Sequence, residues 1–220
     1  MQKIEKIDWE RFSRLVQKLI DYKTQHSRVP INAESWEEVI YVALAHMFTK
    51  ETVKWDMGSH AKGVDVEIKI NEELILISAK GGKINVKNYL SISSYRLTRY
   101  KTLKDKLSFL YENAKKLDIY LICSRSEDDN LLKYRIFKIN SLGLVPDLFL
   151  NPSSWRETSQ AWILTKHKEV GFEARIVKSM SHQLWYSIPI NLEKLETLCE
   201  ISLTKDELGL LLHDVLNKTD

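Results

Sequence analysis

The chain has 220 residues and a mass of 25.8 kDa, enough for one domain with a sizeable core. Its 44% hydrophobic and 29% charged residues are the balance of a globular chain and exclude a disordered or fibrous one. No apolar stretch approaches the roughly 18 residues of a membrane span, so no membrane partner is expected. The opening MQKIEKIDWERF lacks the apolar centre of a secretory leader. Cys123 and Cys199 each lie in an apolar context, as reduced core thiols of a cytoplasmic protein would.

In chain order, Asp8 to Gln25 predicts an amphipathic helix, with Trp9, Phe12, Val16, Leu19 and Ile20 on one stripe. Pro30 ends that region. Ser35-Trp36-Glu37-Glu38 has the form of a capping box, so a second helix is expected to open at Ser35. Gly58 and Gly63 bracket a loop. Alternation over Val64 to Ile70 predicts a strand, Asn71-Glu72-Glu73 a turn, and Leu74 to Lys80 a second strand that Gly81-Gly82 should break. Leu103, Leu107, Leu110, Ala114 and Leu117 recur at helical spacing, which predicts a third helix over Thr102 to Leu117. Ile119 to Ser124 reads as a strand buried on both faces, and Tyr134 to Ile139 as its neighbour. Further on, strands are expected over Phe172 to Val177 and Gln183 to Ile190, then a helix over Thr204 to Leu216. The central order of helix, hairpin, helix and two strands is an α/β pattern, and no repeat or linker divides the chain.

The net charge of +3 averages over an uneven distribution. Between Ser78 and Lys116 ten basic residues face two acidic ones, a net +8, which leaves −5 for the rest. A basic segment in an otherwise acidic chain is an electrostatic footprint for a polyanion, nucleic acid first. Hydroxyl and aromatic residues interleave the charges over Ser91 to Lys101 (SISSYRLTRYK), as phosphate and base contacts require. A solvated helix surface is the plainer alternative.

On a strand, Asp65, Glu67 and Lys69 share one face, and a short hairpin brings the Asp65 end beside Lys80. A phosphodiester hydrolase needs such a pair. A hard oxygen ligand holds Mg²⁺, the metal activates a water, and a cation orients it and offsets developing charge. Taken alone, the same two residues would also serve as an ion pair on a solvated hairpin.

Gly58-Ser59-His60, then Gly63-Val64-Asp65, a hairpin, Ser78-Ala79-Lys80, and Ser94-Tyr95-Arg96 before a lysine-rich helix together resemble a type II restriction endonuclease of the PD-(D/E)XK superfamily. The resemblance is clearest over Ser35 to Ile139. It implies a nuclease-like central mixed β-sheet flanked by helices, with additional C-terminal strands and a helix. It also implies one endonuclease domain over residues 1–220, with a catalytic core at about 35–140 and a recognition or dimerisation elaboration at about 141–220. By the same resemblance Asp65 would ligate Mg²⁺, Ala79 would lend its carbonyl, and Lys80 would assist the attacking water. The partners implied are double-stranded DNA and a second copy of the chain.

The sequence departs from that pattern at Ser78, where the family's second acid would stand. Another acid must substitute, or the site is impaired. Glu67 shares the face of Asp65, whereas Glu37 lies at the border of the second helix's apolar stripe. Glu38 is explained as the capping-box acid, and Glu112 is a more remote candidate. His60, Lys83, Lys87, Ser94, Tyr95, Arg96, Arg99 and Lys101 are the expected DNA contacts. The histidines show no zinc spacing. Two other readings stand beside sequence-specific cleavage: a structure-selective repair or recombination nuclease, and a non-catalytic DNA-binding module in which Ser78 marks a decayed site.

Overall fold

Asp8 stops the chain from running straight into its first helix and then caps it. Its carboxylate accepts the Arg11 N–H at 2.9 Å, and α1 follows over Trp9–Gln25, burying Phe12, Val16 and Ile20. The structure, a computed structural model, describes residues 3–55 and 63–212. The second helix, α2, spans Ala33–Met47 and begins earlier than the capping-box reading expects. Asn32, in extended conformation, accepts the Ser35 N–H at 2.9 Å and takes the capping role. Glu38 instead pairs with Lys23 of α1 at 2.5 Å.

The described residues form one eleven-stranded sheet. Its strands are β1 (Val53–Trp55), β2 (Val66–Ile70), β3 (Glu73–Ile84), β4 (Tyr89–Arg96), β5 (Ile119–Glu127), β6 (Leu131–Asn140), β7 (Trp155–Glu157), β8 (Ala161–Leu164), β9 (Glu173–Val177), β10 (Gln183–Pro189) and β11 (Glu196–Thr204). They run in the order β11-β6-β5-β3-β4-β10-β9-β8-β7, with β1 and β2 branching from β3. All pairings are antiparallel except β3 with β5, and the chain passes between those two through β4 and then α3 (Leu103–Lys116). The architecture is therefore mixed α/β, with helices on both faces of a large mixed sheet. Helices α1 and α2 cover one core, which includes Ile75, Ile77 and Ala79. Helix α3 covers the other, which includes Leu90, Ile92 and Ile122. Among the described residues no helix is long and apolar enough to cross a membrane. Both cysteines are free and buried, and burial pushes the Cys199 thiol up to about 11.

Three expectations fail here. The glycine pair does not break β3, which continues through it to Ile84. Gly82 is instead where β4 comes close: a Cβ there would sit 2.8 Å from both Ile92 Cγ2 and Leu90 Cδ1. The segment read only for nucleic-acid contacts is β4, whose Leu90 and Ile92 are buried between half-buried serines. The helix expected from Thr204 begins only at residue 210. Thr204 ends β11 and shares a capping box with Glu207 around a single 3-10 turn, and Gly209, at φ +70°, turns the chain again. The end of that expected helix, from residue 213, lies outside the described residues. The added C-terminal strands are not a separate layer, since β7 to β11 extend the same sheet at both ends.

Replacing Gly82 by alanine is expected to cost about 1–3 kcal/mol through overpacking against Leu90 and Ile92. The midpoint of urea unfolding checks this.

Candidate active site

The site forms where two strands part. β2 follows β3 only as far as the Val66–Ile77 pair, and β4 joins the same edge at Gly82–Ile92. Between them, Ser78 to Gly81 have no strand on that side. Asp65 fills the gap. Its N–H donates to the Ile77 carbonyl at 2.9 Å, and its Oδ2 accepts the Ala79 N–H at 2.7 Å. The same oxygen accepts the Ser78 hydroxyl at 2.9 Å and the Lys80 ammonium at 3.3 Å. Ser78 is fully buried, and the Asp65 and Lys80 side chains are 11% and 21% exposed. Oδ1 has no hydrogen-bond partner among the described residues. Because N–H and C=O of one strand residue point to the same edge, the Ala79 carbonyl also lies on the side of the gap.

A cavity of about 480 Å³ opens there, lined by Asp65, Ala79 and Lys80. Glu37 reaches it from α2, and Ser94, Tyr95, Arg96 and Arg99 from β4 and the loop that follows. Of the two acids proposed to replace the one absent at position 78, Glu37 lines this cavity. Glu67 does not: it is half-buried on β2, opposite Leu76 of β3 and Lys54 of β1. Gln183 of β10 also lines the cavity and was invisible in the sequence, because it arrives there by pairing with Arg96, far away along the chain.

Local geometry explains several of these placements. Gly63 has φ +68°, and a Cβ there would lie 2.7 Å from Tyr95 Oη, so only glycine fits directly before the Asp65 segment. Tyr95 packs edge-on against Phe109 of α3, and burial pushes its hydroxyl above the usual range despite a hydrogen bond with Tyr120. The loop carrying Arg99 is tied down by Lys106 of α3. This fully buried lysine donates to the carbonyls of Leu97, at 3.1 Å, and Tyr100. Burial lowers its pKa, partly offset by Asp105. From the other side, the His182 carbonyl accepts the Leu97 N–H at 3.2 Å, and the Ser181 carbonyl accepts the Thr98 hydroxyl at 2.8 Å. Lys106 and Lys178 lie over the Trp162 ring at 5.4 and 4.5 Å, and His182 meets it edge-on. The His182 pKa is lowered, first by burial and then by Lys106 and Lys178.

The basic segment is thus split. Lys80, Arg96 and Arg99 line the cavity, Lys83 lines a neighbouring one, and Lys87 and Lys101 are exposed away from both. Lys115 pairs with Glu112 at 3.4 Å on the exposed side of α3. His60 lies outside the described residues.

Among the described residues there is no group of three or more His, Cys, Asp or Glu side chains that could hold a metal. The donors at the gap are two carboxylates and a carbonyl, all hard oxygens. That set fits Mg²⁺, which binds through one or two carboxylates plus waters and phosphate oxygens.

No protein-family model matches this chain, and no curated protein matches it. Among solved structures it is similar to a restriction endonuclease determined in complex with substrate DNA, with 11% sequence identity and a TM-score of 0.42 over 95% of this chain and 90% of that one.

Replacing Asp65 by alanine strands the Ser78 hydroxyl and the Ala79 N–H and is expected to cost about 2–4 kcal/mol, whereas Asp65→Asn keeps an acceptor and costs about 1 kcal/mol. Urea unfolding of both variants checks the difference. A second expectation concerns acid. In the unfolded chain His182 takes up its proton near pH 6.5, and in the folded protein only at lower pH, so stability falls as pH drops below about 6.5. His182→Asn, which tolerates the φ of 50°, should flatten this fall in unfolding measurements across pH.

Proposed function

We propose that this chain is a Mg²⁺-dependent endodeoxyribonuclease of type II restriction character, cutting double-stranded DNA at specific sequences as a homodimer. The observation that carries this reading is the convergence of Asp65, Glu37, the Ala79 edge of β3, Lys80, Arg96 and Arg99 on one cavity. Asp65, Glu37 and the Ala79 carbonyl would hold Mg²⁺. When bound, the ion lowers the pKa of a coordinated water and neutralises charge on the phosphate oxygens.

The remaining steps belong to the chain. Lys80 is held beside Asp65 by a 3.3 Å contact, where its ammonium can donate to and orient the attacking water. Ser78 keeps the Asp65 carboxylate in one orientation by donating to Oδ2, which leaves Oδ1 for the ion. Arg96 and Arg99, both exposed, are placed to clamp phosphates flanking the scissile one. The water attacks phosphorus and gives up a proton to solvent, the P–O bond on the opposite side breaks, and the departing oxygen takes a proton from solvent. One such cavity per chain cuts one strand, so two copies related by a two-fold axis cut both strands of a palindrome.

With plasmid DNA and Mg²⁺ the expected result is discrete linear bands, lost on chelation. Lys80→Ala and Asp65→Asn should each lower cutting roughly 100-fold or more while retaining duplex binding. Plasmid left uncut by the wild type across divalent metals and salt concentrations overturns the reading.

A further inference from the structure

A second cavity of about 510 Å³ lies between α2 and the face of the β4–β10 pair, and Gly81 and Ser93 line both it and the catalytic one. The two therefore adjoin at Gly81 and Ser93. The floor of the second cavity includes Trp185 of β10, which sits opposite Ser93 of β4 on one side and Arg175 of β9 on the other. The pairing of β10 with β4 shifts register between Gln183 and Trp185. The extra residue is on β4, while β10 alternates without a break, and along its one face Gln183 lines the catalytic cavity and Trp185 its neighbour. The Trp185 Nε1 is buried and has no hydrogen-bond partner among the described residues. An indole N–H is a donor only, so what completes it is an acceptor.

The charges around the cavity favour a polyanion. Lys83 and Arg125 line it, Arg125 being paired with Glu127 at 3.0 Å, and exposed Arg175 lies across the strand from Trp185. The opposing charges on this face include Glu127, held in that pair, and exposed Glu173, opposite Ser187. Gly81 leaves the floor without a side chain where a strand passing Lys80 would continue, whereas Gly82 turns its open side to Leu90 and Ile92 on the opposite face. Lys80 to Lys83 spans about 10 Å along β3, the rise of about three base pairs of duplex.

Building on the nuclease reading, we propose that this cavity is a nucleotide subsite in which Trp185 is a DNA-binding residue. It takes a nucleotide within about three positions of the scissile phosphate. Trp185 Nε1 donates to an acceptor of that nucleotide, while Lys83 and Arg125 meet its phosphates.

The test uses the full chain without metal and a short random-sequence DNA duplex. The indole N–H signals of the ¹⁵N-labelled protein are followed during titration, and that of Trp185 is assigned through its contacts and its loss in Trp185→Phe. The proposal expects the Trp185 signal to shift. It also expects Trp185→Phe, with an unchanged melting temperature, to bind the duplex about three- to tenfold more weakly. Should the variant fail to fold, the wild-type signal alone decides. A duplex that binds while the Trp185 signal stays in place, or that binds a folded Trp185→Phe equally well, overturns the subsite and leaves the nuclease reading standing. A wild type that binds no duplex overturns the subsite, while plasmid cutting with Mg²⁺ decides the nuclease reading separately.

Discussion

One carboxylate oxygen holds together the point where β2 and β4 part. A buried backbone N–H without an acceptor is costly, and the divergence of two strands from the same edge of β3 would orphan that of Ala79. Asp65 Oδ2 supplies the acceptor and draws in the Ser78 hydroxyl and the Lys80 ammonium as well. The opposite edge of β3 is joined in a similar way, where Asp118 Oδ2 accepts the Leu76 N–H at 2.8 Å before β5 begins. At Asp65, however, the strands move apart instead of together, and the room between them is the cavity. The group that would bind a metal is therefore also a group that completes the sheet.

This explains why serine is chemically consistent at position 78. With a carboxylate there, two like charges would meet at hydrogen-bond distance in a buried position, which raises the pKa of one of them or calls for a further cation. A hydroxyl donates instead. The second acid comes from outside the sheet: α2 starts at Asn32's cap, Trp36 is buried edge-on against Tyr134, and Glu37 at the next position lines the cavity. The arginine side is fixed with equal economy. A single buried lysine, Lys106, gathers two carbonyls of the loop that carries Arg99, so part of the basic segment holds structure rather than facing a ligand.

The sequence shows its helices and its most apolar strands well, because their periodicity reports burial directly. The helix read over Asp8 to Gln25 is α1, with Asp8 as its cap, and the run Ile119 to Ser124 is buried throughout. Legibility fails where a residue type has two uses. Gly81-Gly82 looks like a strand break but permits close strand packing, and the alternating serines of β4 look like contact residues but also mark one face of a strand. Asn32 and Ser35 are both good caps, and only the backbone conformation decides between them. The pairing of Asp65 with Lys80 is readable from hairpin geometry. The arrival of Gln183 and Trp185 beside them is not, since it depends on a strand pairing across most of the chain.

That long-range pairing bears on how the sheet is finished. The C-terminal third sends β10 to cover β4 and β11 to cover β6, one strand to each flank of the central group. A chain ending after β6 would leave both flanks as long rows of unpaired amides backed by buried apolar side chains, which is a template for intermolecular strand addition. In the whole protein the row runs outward from β10 through β9 and β8 to β7, three residues long, with Arg156 and Glu157 exposed. A short charged strand is a poor nucleus for fibre growth. The segments after residue 140 thus act as a bracket around the central strands, and the short charged edge belongs to the same stretch of chain that carries Trp185.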